Sequence, residues 1–194
     1  MQTYKKTFDA PRLEIRHDDA ESPREWDNLG YFITSERRYM SPDGKKAEWV
    51  QSIVESTADD ANNSEHHAEL ITAAINETGE IVKAIYPVYR YEHGNVLYRR
   101  GTASGFDYSN CGFYIVTDKT QNVLGTPDDL IEKCIDGELE TYTSYVNGEV
   151  YYFTLYDDNG DIEDSCGGFY DIDDIKEALP DSFKNEDMHD YLKY

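Results

Sequence analysis

Apolar side chains fall at every second position in Arg12-Leu13-Glu14-Ile15-Arg16, the repeat of a strand with one buried face. Residues 26–34 predict a second strand, joined to the first through Glu21-Ser22-Pro23, where Pro23 punctuates a turn. After the turn Ser41-Pro42-Asp43-Gly44 the rhythm changes. Trp49, Val50, Ile53 and Val54 share one face of a helix predicted over 46–58. A second helix, capped by Ser64, carries Leu70, Ile71, Ala74 and Ile75 on its apolar side and ends at Gly79. From Glu80 the period returns to two. Residues 81–91 and 96–100 predict strands joined through Glu92-His93-Gly94-Asn95, which has the composition of a hairpin turn, and 112–117 predict another strand. Thr126-Pro127-Asp128-Asp129 opens a helix running to about residue 140 through Leu130, Ile131 and Cys134, with Pro in the first turn and acids at the positive end of the dipole. Gly137 weakens its last turn.

Residues 142–146 and 149–156 flank Asn147-Gly148 and predict a hairpin, because Asn-Gly supplies the positive φ angles of a type I′ turn. Asp158-Asn159-Gly160 turns into 161–166, and 171–179 form a short helix stopped by Pro180. Residues 1–10 read as a flexible tail, and 181–194 as a tail that is either a helical turn or frayed chain. The elements add up to one α+β domain over 1–194, a mainly antiparallel sheet of hairpins packed with three to four helices.

Composition supports a folded chain. At 194 residues it is long enough for a sizeable core, and 17 Tyr and 7 Phe supply bulk despite a mean hydropathy of −0.75. No apolar run approaches the roughly 20 residues of a membrane helix, and residues 1–8 lack a signal-peptide stretch. Cys111, Cys134 and Cys166 leave an odd thiol and no Cys-x-x-Cys spacing, which fits a reducing compartment rather than a disulfide framework or structural zinc. A cytoplasmic protein is expected. Its charge is −22, from 40 acids against 18 bases, and the imbalance grows along the chain: residues 1–50 carry 10 acids and 9 bases, residues 157–194 carry 13 and 3. Such a surface repels nucleic acid and anionic membranes and attracts basic proteins or cations.

The candidate binding residues follow from that gradient: Asp157, Asp158, Asp161, Glu163, Asp164, Asp171, Asp173 and Asp174. Acids at alternate strand positions lie about 6.6 Å apart and helical i, i+4 pairs about 6 Å apart, near the spacing of phosphates along one DNA strand. The plainer reading is a solvated face. No catalytic, metal or cofactor site is assigned. Asp157-Asp158-Asn159-Gly160-Asp161 resembles a calcium loop, but Gly stands fourth instead of sixth and position twelve is Gly168, so a hairpin turn accounts for it better. Cys166 precedes two glycines, and His17, His93 or His189 would be the available bases, yet Glu163 and Asp164 oppose thiolate formation. His66 and His67 are adjacent and read as solvent-facing; His93 reads as a turn residue. With 40 acids, some pair always has the separation of a glycosidase pair, so that signal carries no information. Tyr86, Tyr89, Tyr91, Tyr98, Tyr142, Tyr145, Tyr151 and Tyr152 fit either a protein-binding face or core packing.

Three blocks carry a family resemblance. Glu21-Ser22-Pro23-Arg24-Glu25-Trp26-Asp27-Asn28-Leu29-Gly30 resembles the signature of a family of acidic proteins carried by phages and other mobile elements. Tyr86-Pro87-Val88-Tyr89-Arg90-Tyr91-Glu92-His93-Gly94 resembles that family's central hairpin, and Asp164-Ser165-Cys166-Gly167-Gly168-Phe169-Tyr170 its closing motif. Residues 102–108 depart from the Cys-Pro-Trp-Asp stretch of the relatives. The resemblance implies a mobile element facing host defences and carries over no catalytic residue. The last block also echoes Asn110-Cys111-Gly112-Phe113-Tyr114, either an old duplication or reuse of a Gly turn. The expectation is a non-enzymatic accessory protein, in the cytoplasm of an infected cell, that mimics DNA to inhibit a host defence or nucleic-acid-binding protein with a basic groove. It would bind neither nucleic acid directly nor membrane. The alternative is an assembly protein that binds through its Tyr-rich sheet, with charge serving solubility.

Overall fold

Every residue from Cys111 to Thr117 is buried, which a strand achieves only when both faces of its sheet are covered. The structure is a computed structural model that describes residues 12–36 and 40–194; the tail expected over 1–10 lies outside the described residues. In chain order the elements are β1 (Leu13–His17), β2 (Tyr31–Thr34), α1 (Glu48–Thr57), α2 (Ser64–Glu77), β3 (Val82–His93), β4 (Asn95–Arg100), β5 (Tyr108–Thr117), α3 (Asp118–Leu124), α4 (Ile131–Val146), β6 (Tyr151–Tyr156), β7 (Ile162–Phe169) and α5 (Ile175–Ala178). This is an α+β fold with two antiparallel sheets, ordered β2-β5-β3-β4 and β1-β6-β7. By its internal contacts the chain divides into two units, Ser22–Thr143 and Met1–Glu21 with Ser144–Tyr194.

In the unit Ser22–Thr143 the four-stranded sheet is a middle layer. Tyr114 and Val116 of β5, with Phe32 and Val88, meet Ile131, Ile135 and Leu139 of α4 on one face. Phe113 and Ile115, with Ile33, meet Val50 and Val54 of α1 and Ile71 and Ile75 of α2 on the other. Each fully buried side chain of this size contributes about 1.5–3 kcal/mol. The segment before β2 is not the strand expected from residue 26 onward. Pro23–Glu25 form a 3-10 turn capped by Ser22, whose Oγ accepts from the Arg24 N–H. Arg24, only 2% exposed, then organises the loop. Its guanidinium donates to Asp43 (2.6 Å at the closest), Glu138 (2.8 Å), Asn28 (3.0 Å) and the Gly30 carbonyl (2.8 Å). Burial disfavours the charged guanidinium, whereas Tyr114, Asp43 and Glu138 around it favour it, and the net direction is upward. Burial pushes Tyr114 well above the usual phenol range, so it stays protonated and donates to Glu138.

Two helical details differ from the sequence expectation. Asn63, not Ser64, caps α2, accepting from the His66 N–H. Helix α3, for which the sequence pattern had no element, is held by a capping box between Thr117 and Thr120.

The larger correction is at 142–146, which are helical and not a strand. α4 runs on to Val146 and ends in a Schellman motif: Gly148 N–H donates to Tyr145 O (3.0 Å) and Glu149 N–H to Ser144 O (2.8 Å). Gly148 has φ +71°, whereas no described residue other than glycine has a positive φ. Asn147 therefore does not take the second positive φ that a type I′ turn requires. The same Asn-Gly dipeptide stops a helix instead of closing a hairpin.

In the unit containing β1-β6-β7, Leu13 and Ile15 of β1 and Tyr151, Phe153 and Leu155 of β6 pack against Ile172, Ile175, Leu179, Phe183 and Met188. The tail 181–194 is therefore part of this core and not frayed. It forms 3-10 turns at Asp181–Phe183 and Met188–Tyr191, and Lys193 N–H donates to Ile15 O along the open side of β1 (2.8 Å).

Candidate functional site

β7 is the free edge of the three-stranded sheet, and its side chains are exposed from Ile162 to Gly168 on both faces. The apolar segment that covers β1 and β6 reaches β7 only at Phe169. Two bulges bend the strand. Leu155 pairs with Asp164 and Tyr156 with Ile162, which leaves Glu163 as an extra residue. Tyr151 pairs with Phe169 and Phe153 with Cys166, so Gly167 and Gly168 together oppose Tyr152, and Gly168 takes φ +80°. Bulges and edge charges discourage strand addition. The edge thus presents charge more than a pairing ladder.

Of the eight acids singled out from the sequence, two are on this edge strand and six are in the turns at its two ends, in three settings. Asp157, Asp158 and Asp161 belong to the turn that enters β7. There Asp157 accepts the N–H groups of Asn159 (2.8 Å) and Asp161 (2.9 Å), and these backbone donors, Asp161's first, hold its carboxyl below the usual range. Glu163 and Asp164 are on the strand. Asp171, Asp173 and Asp174 follow it: Asp171 caps the 3-10 turn Ile172–Asp174 by accepting from the Asp173 N–H (2.9 Å). Asp173 is the one of the eight with an ion pair among the described residues, to Lys176 (2.8 Å), whose hydrogen bond lowers its pKa.

Number and spacing both depart from those of a DNA strand. At about 3.3 Å per residue β7 is about 23 Å long, a length over which one DNA strand presents about seven phosphates. β7 itself carries two of the eight acids, Glu163 and Asp164, so along the strand neither the number nor the even pitch of the phosphates is matched. Glu163 and Asp164 are neighbours at a bulge, and the six residues from Ser165 to Tyr170 hold no acid. Asp18, which the sequence did not single out, reaches into this gap: its Oδ2 accepts the Gly168 N–H (2.8 Å). With 150 residues between them, no local signal links the two.

The other candidates resolve individually. Cys166 is exposed on β7, whereas its counterpart in the echo, Cys111, is buried in β5 with Sγ 3.4 Å from Val88 O. His67 is not solvent-facing: it donates from Nε2 to Val54 O (3.0 Å) and meets Phe113 edge-on at 4.9 Å, because α2 packs on α1. The tyrosines do not form one face. Tyr142 and Tyr145 lie on α4, Tyr98 and Tyr151 are buried, and Tyr86 donates to Glu132 (2.8 Å). Tyr89 and Tyr91 remain together on β3, each in ring contact with Tyr108 (5.9 and 4.8 Å).

Among the described residues no cluster of three or more His, Cys, Asp or Glu is arranged to hold a metal ion, and no helix is long and apolar enough to cross a membrane. Compared with known families, characterised proteins and solved structures, the chain matches none.

Proposed function

We propose that this protein acts by stoichiometric binding, offering the acidic edge of β7 to the basic groove of a nucleic-acid-binding or defence protein. The observation that carries the reading is the state of the carboxylates. Seven of the eight form no ion pair among the described residues, and they collect along one strand edge and its two ends. Uncompensated charge steers a basic partner over long range, and partial desolvation on contact strengthens the attraction. The competition is electrostatic, because the uneven spacing does not copy a phosphate track site by site. Resemblance to acidic mobile-element proteins makes a host defence or DNA-processing factor the favoured partner class.

A pull-down from host lysate tests this, using the wild-type chain beside one with Asp157, Asp158, Asp161, Glu163, Asp164, Asp171, Asp173 and Asp174 changed to Asn or Gln. The wild type is expected to retain a nucleic-acid-binding protein that added duplex DNA displaces and the neutralised chain does not hold. Equal retention by both chains would favour binding through Tyr89, Tyr91 and Tyr108 instead.

A further inference from the structure

Arg24 and its partners fix the loop 23–30, and from this rigid loop Trp26 stands 51% exposed. Beside it opens a cleft of about 300 Å³, bounded by Pro23 and Trp26 of the loop, Leu124 at the end of α3, and Cys134, Gly137 and Thr141 of α4. Three features define what fits there.

Gly137 lies inside α4, where glycine costs stability relative to alanine, yet a Cβ added to it would meet nothing within 4 Å. Packing among the described residues therefore does not require that glycine. The polar groups around the cleft are already engaged. Asn28 Nδ2 donates to Pro23 O and Trp26 O, Glu138 accepts from Leu29, Arg24 and Tyr114, and Thr141 Oγ1 donates to Gly137 O. Among the described residues no convergent polar set remains to orient a polar small molecule, so the cleft suits an apolar side chain. Exposed acids outnumber bases beside the lining residues in the chain: Glu25 and Asp27 flank Trp26, Asp128 and Asp129 follow α3, and Glu140 adjoins Thr141, against the buried Arg24, Lys46 at the Trp26 carbonyl, and Lys133.

We infer that this cleft docks a basic segment of another protein, which inserts one large apolar side chain between Trp26 and Gly137. A pre-positioned, half-exposed tryptophan beside a pocket is the usual make-up of a binding hot spot, and the acids around it select a partner whose anchor is flanked by Lys or Arg. The inference does not rest on the β7 edge.

The test is selection of short random displayed peptides on the full chain carrying D157N, D158N, D161N, E163Q and D164N, which keeps basic peptides off the β7 edge. Recovered peptides are then titrated against that chain, and against versions that also carry Gly137→Leu or Trp26→Ala. Both added changes lie at solvent-exposed positions and alter no side chain that Arg24 contacts, since Trp26 meets Asn28 through its backbone carbonyl, and helical content is checked by circular dichroism. The expected result is peptides that share a large apolar residue among Lys or Arg and bind both variants about tenfold or more weaker. Four outcomes would overturn the inference: no recovered binder, peptides without a basic flank, equal affinity for Gly137→Leu, or self-association of the chain that Gly137→Leu abolishes.

Discussion

At the scale of residues, most depends on the buried charge of Arg24. Arginine is ordinarily exposed, and nothing in Glu21-Ser22-Pro23-Arg24-Glu25 marks this one for burial. Its partners lie 19 residues on at Asp43 and 114 residues on at Glu138, beyond any local pattern. Replacing it by Met would leave Asp43, itself 3% exposed, without its cation. Removing one member of a buried ion pair costs about 3–5 kcal/mol. Urea unfolding of Arg24→Met should show a loss of that order, and a change under about 1 kcal/mol would contradict the assigned role. The same distance effect hid Asp18, while the acids from Asp157 to Asp174 were legible because they are close in sequence. Their pairing and bulges were not, since both depend on the register of β7 against β6.

At the scale of elements, the strands and helices with a clean period were readable: β3 and β4 with their turn at Gly94, the apolar faces of α1 and α2, and β6. The segment Tyr142-Thr143-Ser144-Tyr145-Val146 misled because its residue types favour strands. Tertiary contact decides otherwise. Tyr142 packs edge-on to Phe32 at 5.6 Å, one turn beyond the buried Leu139, so the helix continues. Two glycines of this helix give opposite predictions for one substitution. Gly148→Ala forces a Cβ into left-handed backbone and should cost about 1–2 kcal/mol. Gly137→Ala adds a Cβ in open space and should gain about 0.5–1 kcal/mol. Thermal melts of the two variants should shift in opposite directions, and a shift of the same sign would contradict the cap or the open cleft.

At the scale of the whole molecule, the α+β class was legible from alternating runs and turns, whereas the division into two units was not. One boundary between them falls at residues 143 and 144, inside α4, where no linker composition marks it. The net charge of −22 was plain in the composition, and its rise toward the C-terminus singled out the segment from Asp157 to Asp174. Composition could not say that two of the acids would stand on a free edge strand and six in the turns at its ends, with an acid-free stretch between Asp164 and Asp171. The central claim is that both end groups act on one basic partner. The most direct measurement is the affinity of the captured partner for the wild type and for two variants, one with Asp157, Asp158 and Asp161 changed to Asn and one with Asp171, Asp173 and Asp174 changed to Asn, at low and high salt. Each variant should bind about tenfold or more weaker at low salt, with the difference shrinking as salt rises. Wild-type affinity in both variants at both salt concentrations would contradict it.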